Sequence, residues 1–337
     1  MQPSLVEYIL MAIFVVSVPV YVVLLVMVYR FRKKKPFNAS FFSISFSVGI
    51  FDLLHLFGDW VLGKFGNFGW FGIDRLVMLW PSMFAKLTSM VWWFAGLGQT
   101  LGVMLLAVNR MCAIGYDKNW SDQQARLALV INWVIPAVIT LPQAFLQFHY
   151  FPMNDTGVMM YWESPQFQWL YYHACFWWCL GMAVISGVCY VLTFYRARKT
   201  VSELVAKDQT TKRMELKLAM VGVVLFALTG VYAVFCGVMA LVTDPVALQN
   251  MLRYQNLMGD SYSWINPYLL LLCSGTIRNH FKAVLCCREL TVIAPITGVV
   301  TLVNRQPIPP AVQPFRMRPA ANVYTQHAPV QINEEKV

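Results

Sequence analysis

Three ionisable residues lie on one side of the second apolar stretch of the chain. Asp52, His55 and Asp59 are spaced at i, i+3 and i+7, which places them on the same face of an α-helix. Ionisable groups are costly in hydrocarbon, so we expect this stripe to face the interior of a helix bundle or water. At Asp52, about half way across a bilayer, a structural or switching hydrogen-bond network competes with ion or ligand binding. His55 and Asp59 lie nearer one surface and are candidates to line a ligand cavity.

Aromatic residues crowd one end of the third and fifth apolar stretches. Interfacial belts at the headgroup level account for part of this pattern, notably Trp169 to Tyr172. The deeper rings are candidates for the walls of an apolar cavity, with Gln99 and Thr100 below them as orienting polar groups. The residues predicted to bind a ligand are therefore His55, Asp59, Trp92, Trp93, Gln99, Phe176 and Trp177.

Arg110 stands at the end of the third stretch, in the sequence AVNRMCAIGY. One interpretation is that its side chain snorkels to the phosphate layer. The alternative is that polar groups of facing helices hold it in one state and release it to a cytosolic partner in another.

The seventh stretch, GDSYSWINPYLLLLCSG, contains a proline within its apolar run. Pro267 removes one backbone hydrogen bond and kinks a helix, while Asn266 can satisfy the freed backbone groups or reach across to the second helix. The kink serves packing alone or acts as a hinge in switching. The residues predicted to switch or couple are Asp52, Asn109, Arg110, Asn266 and Pro267.

The sequence shows no catalytic constellation. It contains no GxSxG, no HExxH and no phosphate-binding loop, and no Cys/His pair has metal-ligand spacing. We therefore expect no enzyme activity, no metal and no cofactor.

Seven apolar stretches must position these residues. Each is near or above the roughly 20 residues that a helix needs to cross a bilayer, and the chain is 58% hydrophobic and 12% charged, against about 25% charged in soluble domains. The fold predicted is an all-α membrane protein with a seven-transmembrane helix bundle. The stretches are Leu5–Val28, Phe41–Leu62, Met83–Ile114, Leu127–Leu146, Trp169–Phe194, Leu218–Val242 and Asn256–Cys273.

The net charge of +10 reflects membrane topology. Of the 26 Lys and Arg residues, all but Lys64, Arg75, Lys86 and Arg253 fall in alternate loops and in the tail. The positive-inside rule then puts the N-terminus outside and the C-terminus in the cytosol. We therefore expect a multi-pass plasma-membrane protein that contacts lipid and binds no nucleic acid.

The segment SGTIRNHFKAVLCC after the seventh stretch has apolar residues at helical spacing and basic residues opposite. This pattern predicts a short amphipathic eighth helix on the inner membrane face. Cys286 and Cys287 at its end are either palmitoylation sites or free thiols. We divide the chain into a seven-helix domain, 1–287, and a Pro-rich cytoplasmic tail, 288–337, predicted to be disordered.

The loops at the outer face carry one predicted modification. Asn154, in the sequon NDT, is the glycosylation site expected on that side. The 63–82 and 147–168 loops contain no cysteine, so a disulfide framework there is excluded.

Several motifs together resemble a known family. FFSISFSVGIFDLLHLFGDW, LAVNRMCAI and SWINPYLLLLCSGTIRNHF are similar to the nematode serpentine chemoreceptors of the gamma superfamily, class V, which are G-protein-coupled receptors. By this resemblance Arg110 matches the arginine of the family's NR motif, Asn266 and Pro267 match the start of NPxxY, and Asp52 matches the helix-two aspartate of rhodopsin-like receptors. The resemblance implies a small-molecule ligand and a heterotrimeric G protein as partners, with sensory cilia as a location.

The chain departs from the rhodopsin-like pattern at several points. Asn109 replaces the acidic neighbour of the arginine, Leu270 fills the usual tyrosine position, the sixth stretch has no proline, and the loop disulfide is missing. We expect a chemosensory receptor whose ligand lies among the outer halves of helices two, three and five. The rival class is a transporter or channel, which predicts polar residues continuing through the bundle; helices four to six have no charged line to match helix two.

Overall fold

The computed structural model describes residues 3–34, 37, 39–116, 120–152, 158–162, 165–201, 206–242 and 245–286. Asn154, Cys287 and the predicted tail, 288–337, lie outside these residues. We use "outer" for the end of the bundle predicted to face outside and "inner" for the opposite end.

Seven long helices and an amphipathic eighth are labelled α1–α8, and the prediction of a seven-helix bundle with this eighth helix is confirmed. Six of the long helices are long and apolar enough to cross a membrane. The seventh is more polar, because it contains four polar or charged residues that are buried: Gln255, Asp260, Ser263 and Asn266. The bounds are α1 Leu5–Phe31, α2 Ser40–Leu56, α3 Pro81–Arg110, α4 Asp122–Thr140, α5 Pro165–Val201, α6 Ala206–Leu241, α7 Pro245–Cys273 and α8 Gly275–Leu285.

Three helices continue beyond these bounds in other helical forms. Helix α2 runs on as a π-helix, Phe57–Lys64, and a short α-helical turn, Phe65–Asn67, while α3 runs on as the π-helix Met111–Gly115. A 3₁₀ turn, Leu141–Phe145, extends α4. The outer loop before α3 holds a 3₁₀ turn, Trp70–Gly72, and a short helix, Ile73–Leu79.

The π-helix in α2 changes which residues share a face. In an α-helix, residues five apart are about 140° apart around the axis, because each residue turns the chain by about 100°. A π-helix bonds residue i to i+5, so residues five apart lie above one another. This geometry brings Asp59 and Lys64 to the same side of α2, where both are buried.

A two-stranded hairpin covers part of the outer end of α3. Strands β1, Phe148–Pro152, and β2, Val158–Trp162, pair antiparallel. The hydroxyl of Tyr150 donates to the carbonyl of Leu62 at 3.0 Å and lies 3.1 Å from Thr88 Oγ1. Burial raises the pKa of Tyr150 to about 12, so this phenol keeps its proton and its role as donor at physiological pH.

Close helix contact at the centre of the bundle depends on glycine. A Cβ on Gly98 of α3 would lie 2.5 Å from the Phe51 ring of α2, too close for any other residue without rearrangement. The resulting contact leaves the stripe on α2 facing α3 and α7.

Candidate functional site

Asp52 is the centre of a hydrogen-bond network that joins four helices. Its carboxylate accepts from the hydroxyl of Tyr21 on α1, from Gln99 Nε2 on α3 at 2.7 Å and from Asn266 Nδ2 on α7 at 3.0 Å. Gln99 Nε2 also donates to Ser263 Oγ on α7 at 2.7 Å. All five side chains are buried. Asn266 therefore takes the second of its two expected arrangements and reaches across to α2, with Pro267 next to it inside α7.

His55 connects this network to the outer half of the bundle. Its Nδ1 lies 3.3 Å from Ser263 Oγ, and its ring packs against Gly259 of α7 and beside Trp92 of α3. Since Ser263 is also the partner of Gln99, a continuous chain of polar contacts runs from His55 to Asp52.

A buried ionic cluster lies one turn further out, where α2 meets α7. Lys64 Nζ is 2.6 Å from Asp59 Oδ2 and contacts Asp260 Oδ2, which also accepts from Trp60 Nε1 at 3.1 Å. The ammonium lies 4.3 Å from the centre of the Trp60 ring. Two carboxylates and one ammonium give the cluster a formal charge of −1 in a buried place. Asp260 Oδ1 has no hydrogen-bond partner within the described part of the chain.

The ionic cluster was missed from the sequence. In the sequence, Lys64 was assigned only as a cation of the outer face, and Asp260 belonged to no recognised motif. One signal was present: an ionisable residue inside an apolar span needs a counterion, and neither Asp59 nor Asp260 has a Lys or Arg three or four residues away.

A small cavity lies beside His55. Its walls come from α2 and α3 on one side, and from Cys175, Cys179 and Tyr232 of α5 and α6 on the other. The centre of a water molecule can occupy about 20 Å³ of this cavity, and the lining is mostly apolar. A water needs about 10–15 Å³ measured this way, so the cavity has room for about one water. The lining residues from α2 and α3 are His55, Trp92, Trp93, Gly96 and Leu97.

The cavity brings together part of the predicted ligand site. His55, Trp92 and Trp93 line it, while Gln99 lies below it in the Asp52 network. Of the remaining predicted residues, Asp59 lies in the ionic cluster and Phe176 packs on α6.

Trp177 is not brought into this site. Its side chain is 65% exposed on the outside of the bundle, because the helical repeat of α5 turns it away from the Cys175 face. Cys175, Cys179 and Tyr232 were not predicted from the sequence. The packing of α5 against α6 decides which of their residues face the cavity, and a sequence does not show this packing.

At the inner end, Arg110 is enclosed by protein. Only 5% of it is exposed; its Nη2 donates to Asn109 Oδ1 at 2.9 Å, and its guanidinium lies 4.5 Å from the centre of the Phe41 ring. Asn109 Nδ2 donates in turn to Ser40 Oγ at 2.8 Å, so α3 is tied to the start of α2. The guanidinium is thus held by Asn109 of its own helix and by the Phe41 ring of α2, and the choice between the two interpretations of Arg110 stays a prediction.

Helix α8 packs on the inner end of the bundle. Ile277 is buried, and the ring of His280 lies edge-on to Phe31 and Phe37, with 5.1 Å between ring centres in each pair. Cys286 follows the helix with its side chain exposed, which leaves its thiol open to acylation.

The seven-helix architecture agrees with a comparison to protein families. Residues 10–287 match the model of the serpentine type 7TM GPCR chemoreceptor Srv family. The chain belongs to this family. This Srv receptor is thus a multi-pass membrane protein of a chemoreceptor family, as the motifs in α2, α3 and α7 predicted, and its family is one of receptors rather than enzymes.

A curated relative supports the same assignment. The Srv receptor described here is similar to serpentine receptor class V-1 of Caenorhabditis elegans, with 25% identity over 194 residues. The match covers 54% of this chain and 58% of the relative, so the chain spans little more than half the length of that protein.

Proposed function

We propose that this Srv receptor binds a small molecule in the outer cavity beside His55 and activates a heterotrimeric G protein at its inner end near Arg110. One observation carries the proposal: His55 lines the cavity and is joined, through Ser263 and Gln99, to the Asp52 network between α1, α2, α3 and α7. A molecule that moves His55 therefore perturbs contacts in the middle of the bundle.

The cavity is too small for a drug-sized ligand in the arrangement that the structure describes. Pockets for drug-sized ligands measure about 300–1,000 Å³, far more than the water-sized space here. A ligand must therefore part the walls that α3 forms with α5 and α6. A ligand that binds the parted arrangement better than the closed one shifts the population towards it.

The enclosure of Arg110 supports the inner half of the proposal. A guanidinium held by Asn109 and by the Phe41 ring is withheld from a partner in this arrangement. When α3 moves relative to α2, these contacts break and the fork of donors becomes accessible to the C-terminal segment of a G protein. We place the receptor in the plasma membrane, N-terminus outside, on the charge distribution of its loops.

Gly96 offers a test of the cavity. A Cβ at this position meets nothing within 4 Å, and Gly96 lines the cavity, so Gly96→Val fills the space without a backbone clash. Gly181 of α5 likewise has nothing within 4 Å of a Cβ and lies outside the cavity lining, so Gly181→Val is the matched control.

The assay is G-protein activation in cells that express the receptor, first screened with volatile and water-soluble compounds to find an agonist. Gly96→Val should raise the half-maximal agonist concentration about tenfold or more, which corresponds to about 1.4 kcal/mol. Gly181→Val should respond like the wild type at equal surface expression. Equal responses of the two variants would place the ligand elsewhere.

A further inference from the structure

Three buried cysteines meet where α5 contacts α6. Cys175 Sγ lies 3.6 Å from Cys236 Sγ on the neighbouring helix and 3.8 Å from Cys179 Sγ one turn along its own helix. All three thiols are free, and their exposed fractions are 6%, 0% and 2% in the order Cys175, Cys236 and Cys179. Cys175 and Cys179 line the outer cavity, but the proposed function makes no use of the contact between their thiols and Cys236.

We propose that Cys175 and Cys236 form a redox modification site, in which hydrogen peroxide converts the two thiols into a disulfide between α5 and α6. The site adjoins the outer cavity, since Cys175 lines that cavity.

Geometry selects the pair between helices. A disulfide requires Cβ atoms about 3.5–4.5 Å apart, whereas residues four apart on a helix have Cβ atoms about 5–6 Å apart. Cys175 and Cys179 therefore cannot join without distorting α5. The two helices are in contact here, since the Phe176 ring, next to Cys175, packs on Gly237, next to Cys236, where a Cβ would lie 2.9 Å from that ring.

The cavity selects the oxidant by size. In the closed arrangement of this structure, space for about one water has room for hydrogen peroxide, which is only slightly larger than water, and not for bulky disulfides such as oxidised glutathione. A peroxide molecule in this space lies against Cys175 and against His55, which line the same cavity.

The reaction balances with one peroxide. The Cys175 sulfur attacks one peroxide oxygen and the O–O bond breaks; the departing hydroxide takes the thiol proton and leaves as water, which makes a sulfenic acid. The Cys236 sulfur then attacks the Cys175 sulfur: the S–S bond forms, the S–O bond breaks, and the second hydroxide leaves as water with the Cys236 proton. The sulfurs lose two electrons and the peroxide oxygens gain them.

The two steps differ in rate. Burial favours the uncharged thiol, so the attack on peroxide is slow compared with that of an exposed thiolate. The second step is fast, because the resolving sulfur already lies 3.6 Å away. The finished disulfide brings the sulfurs to about 2.05 Å and fixes the distance between α5 and α6 beside the cavity.

The test uses the purified full-length receptor in lipid nanodiscs. The receptor is treated with hydrogen peroxide, or with oxidised glutathione in a parallel sample, then denatured, alkylated and digested without reductant for mass spectrometry. We expect a peptide with Cys175 linked to Cys236 after peroxide, its loss on reduction, and no such link after oxidised glutathione.

Two variants sharpen the result. In Cys236→Ala the linked peptide should disappear, and dimedone should trap a sulfenic acid at Cys175. Cys189→Ala, which removes another buried thiol of α5, should leave the link intact. The proposal is wrong if Cys175 and Cys236 remain unlinked while the exposed Cys286 of the same sample is oxidised, or if Cys175 links to Cys179 instead.

A signalling measurement adds a consequence that rests on the proposed function. Peroxide should reduce the agonist response of the wild type through the disulfide, and it should reduce the response of Cys236→Ala less, because only the sulfenic acid at Cys175 forms there. The mass-spectrometric link does not depend on signalling, so a receptor that forms the disulfide without any agonist response would refute the proposed function alone.

Discussion

Replacing Lys64 by methionine removes the only cation of the ionic cluster among the described residues. Methionine keeps the length of the side chain and its packing beside Trp60, so the change is mainly one of charge. Asp59 and Asp260 then face one another in a buried place without an ammonium between them.

The size of the effect follows from the distances. At 2.6 Å and an effective dielectric constant of about 20, one ion pair of the cluster attracts by about 6 kcal/mol, and burial of the ions offsets much of this. The penalty has an upper bound, because a carboxylate can take up a proton. Protonating an aspartate of ordinary pKa, about 3.9, costs about 4 kcal/mol at pH 7 and about 1.5 kcal/mol at pH 5.

We therefore expect Lys64→Met to lower the free energy of unfolding by about 3–4 kcal/mol at pH 7 and by about 1–1.5 kcal/mol at pH 5. The sign follows because the folded variant gains a proton that the unfolded chain does not hold at these pH values, so acid stabilises it. The double variant Lys64→Met with Asp260→Asn restores the net charge and should recover most of the loss.

Denaturant unfolding of the receptor in mixed micelles at the two pH values measures these differences. Lys86→Met is the matched control, since Lys86 lies near the outer end of α3, and its only hydrogen bond given by the structure is a long one, 3.4 Å, to the carbonyl of Ala144. A loss for Lys64→Met that is no larger than the loss for Lys86→Met, or one independent of pH, would refute the reasoning.

Four further predictions concern the two faces of the bundle, its coupling end and the outer hairpin. An N-terminal epitope should be labelled on intact cells and a C-terminal one only after permeabilisation; the reverse labelling would overturn the topology and the receptor mechanism with it. A glycan-removing enzyme should shift the wild-type band and leave Asn154→Gln unshifted, and an unshifted wild type expressed in a glycosylating host argues against use of this sequon. Arg110→Ala should bind agonist and reach the surface but lose G-protein activation, whereas normal signalling would show that Arg110 only snorkels. Tyr150→Phe should lower the unfolding free energy by about 1–3 kcal/mol because it leaves the Leu62 carbonyl without its donor, with exposed Tyr8→Phe as the unaffected control.

The seven helices were predictable because apolar length alone identifies a span. The hydrogen bonding of Asp52 and Asn266 between helices was also predictable from the sequence, since a buried carboxylate and a buried amide in facing helices need hydrogen-bond partners. Asn266 was expected to reach α2, but the sequence did not identify Tyr21 of α1 or Gln99 of α3 as further partners of Asp52. Gln99, predicted as a ligand contact under the aromatic rings, donates to Asp52 and Ser263, and its contact with a ligand stays a prediction.

The ionic cluster shows why the rest was out of reach. Its Asp59–Lys64 pair depends on a π-helix, and no residue pattern in FGDWVLGK marks the change from the α-helical repeat. The thiol contact between Cys175 and Cys236 likewise depends on how α5 packs on α6. Residues 61 apart in sequence share a site only through tertiary structure.

The hairpin of β1 and β2 has a consequence for how the outer loop behaves over time. Its segment of the chain contains no cysteine, so the loop is held by the Tyr150 hydrogen bonds and by apolar packing of Phe148, Tyr150 and Val158 against Val77 and Ala85. Such an attachment opens and closes at equilibrium, whereas a disulfide would hold the loop until it was reduced. The outer loop therefore needs no oxidising compartment in order to pack on the bundle. In a receptor synthesised under reducing conditions the hairpin still covers the outer end of α3, while the buried thiols stay reduced.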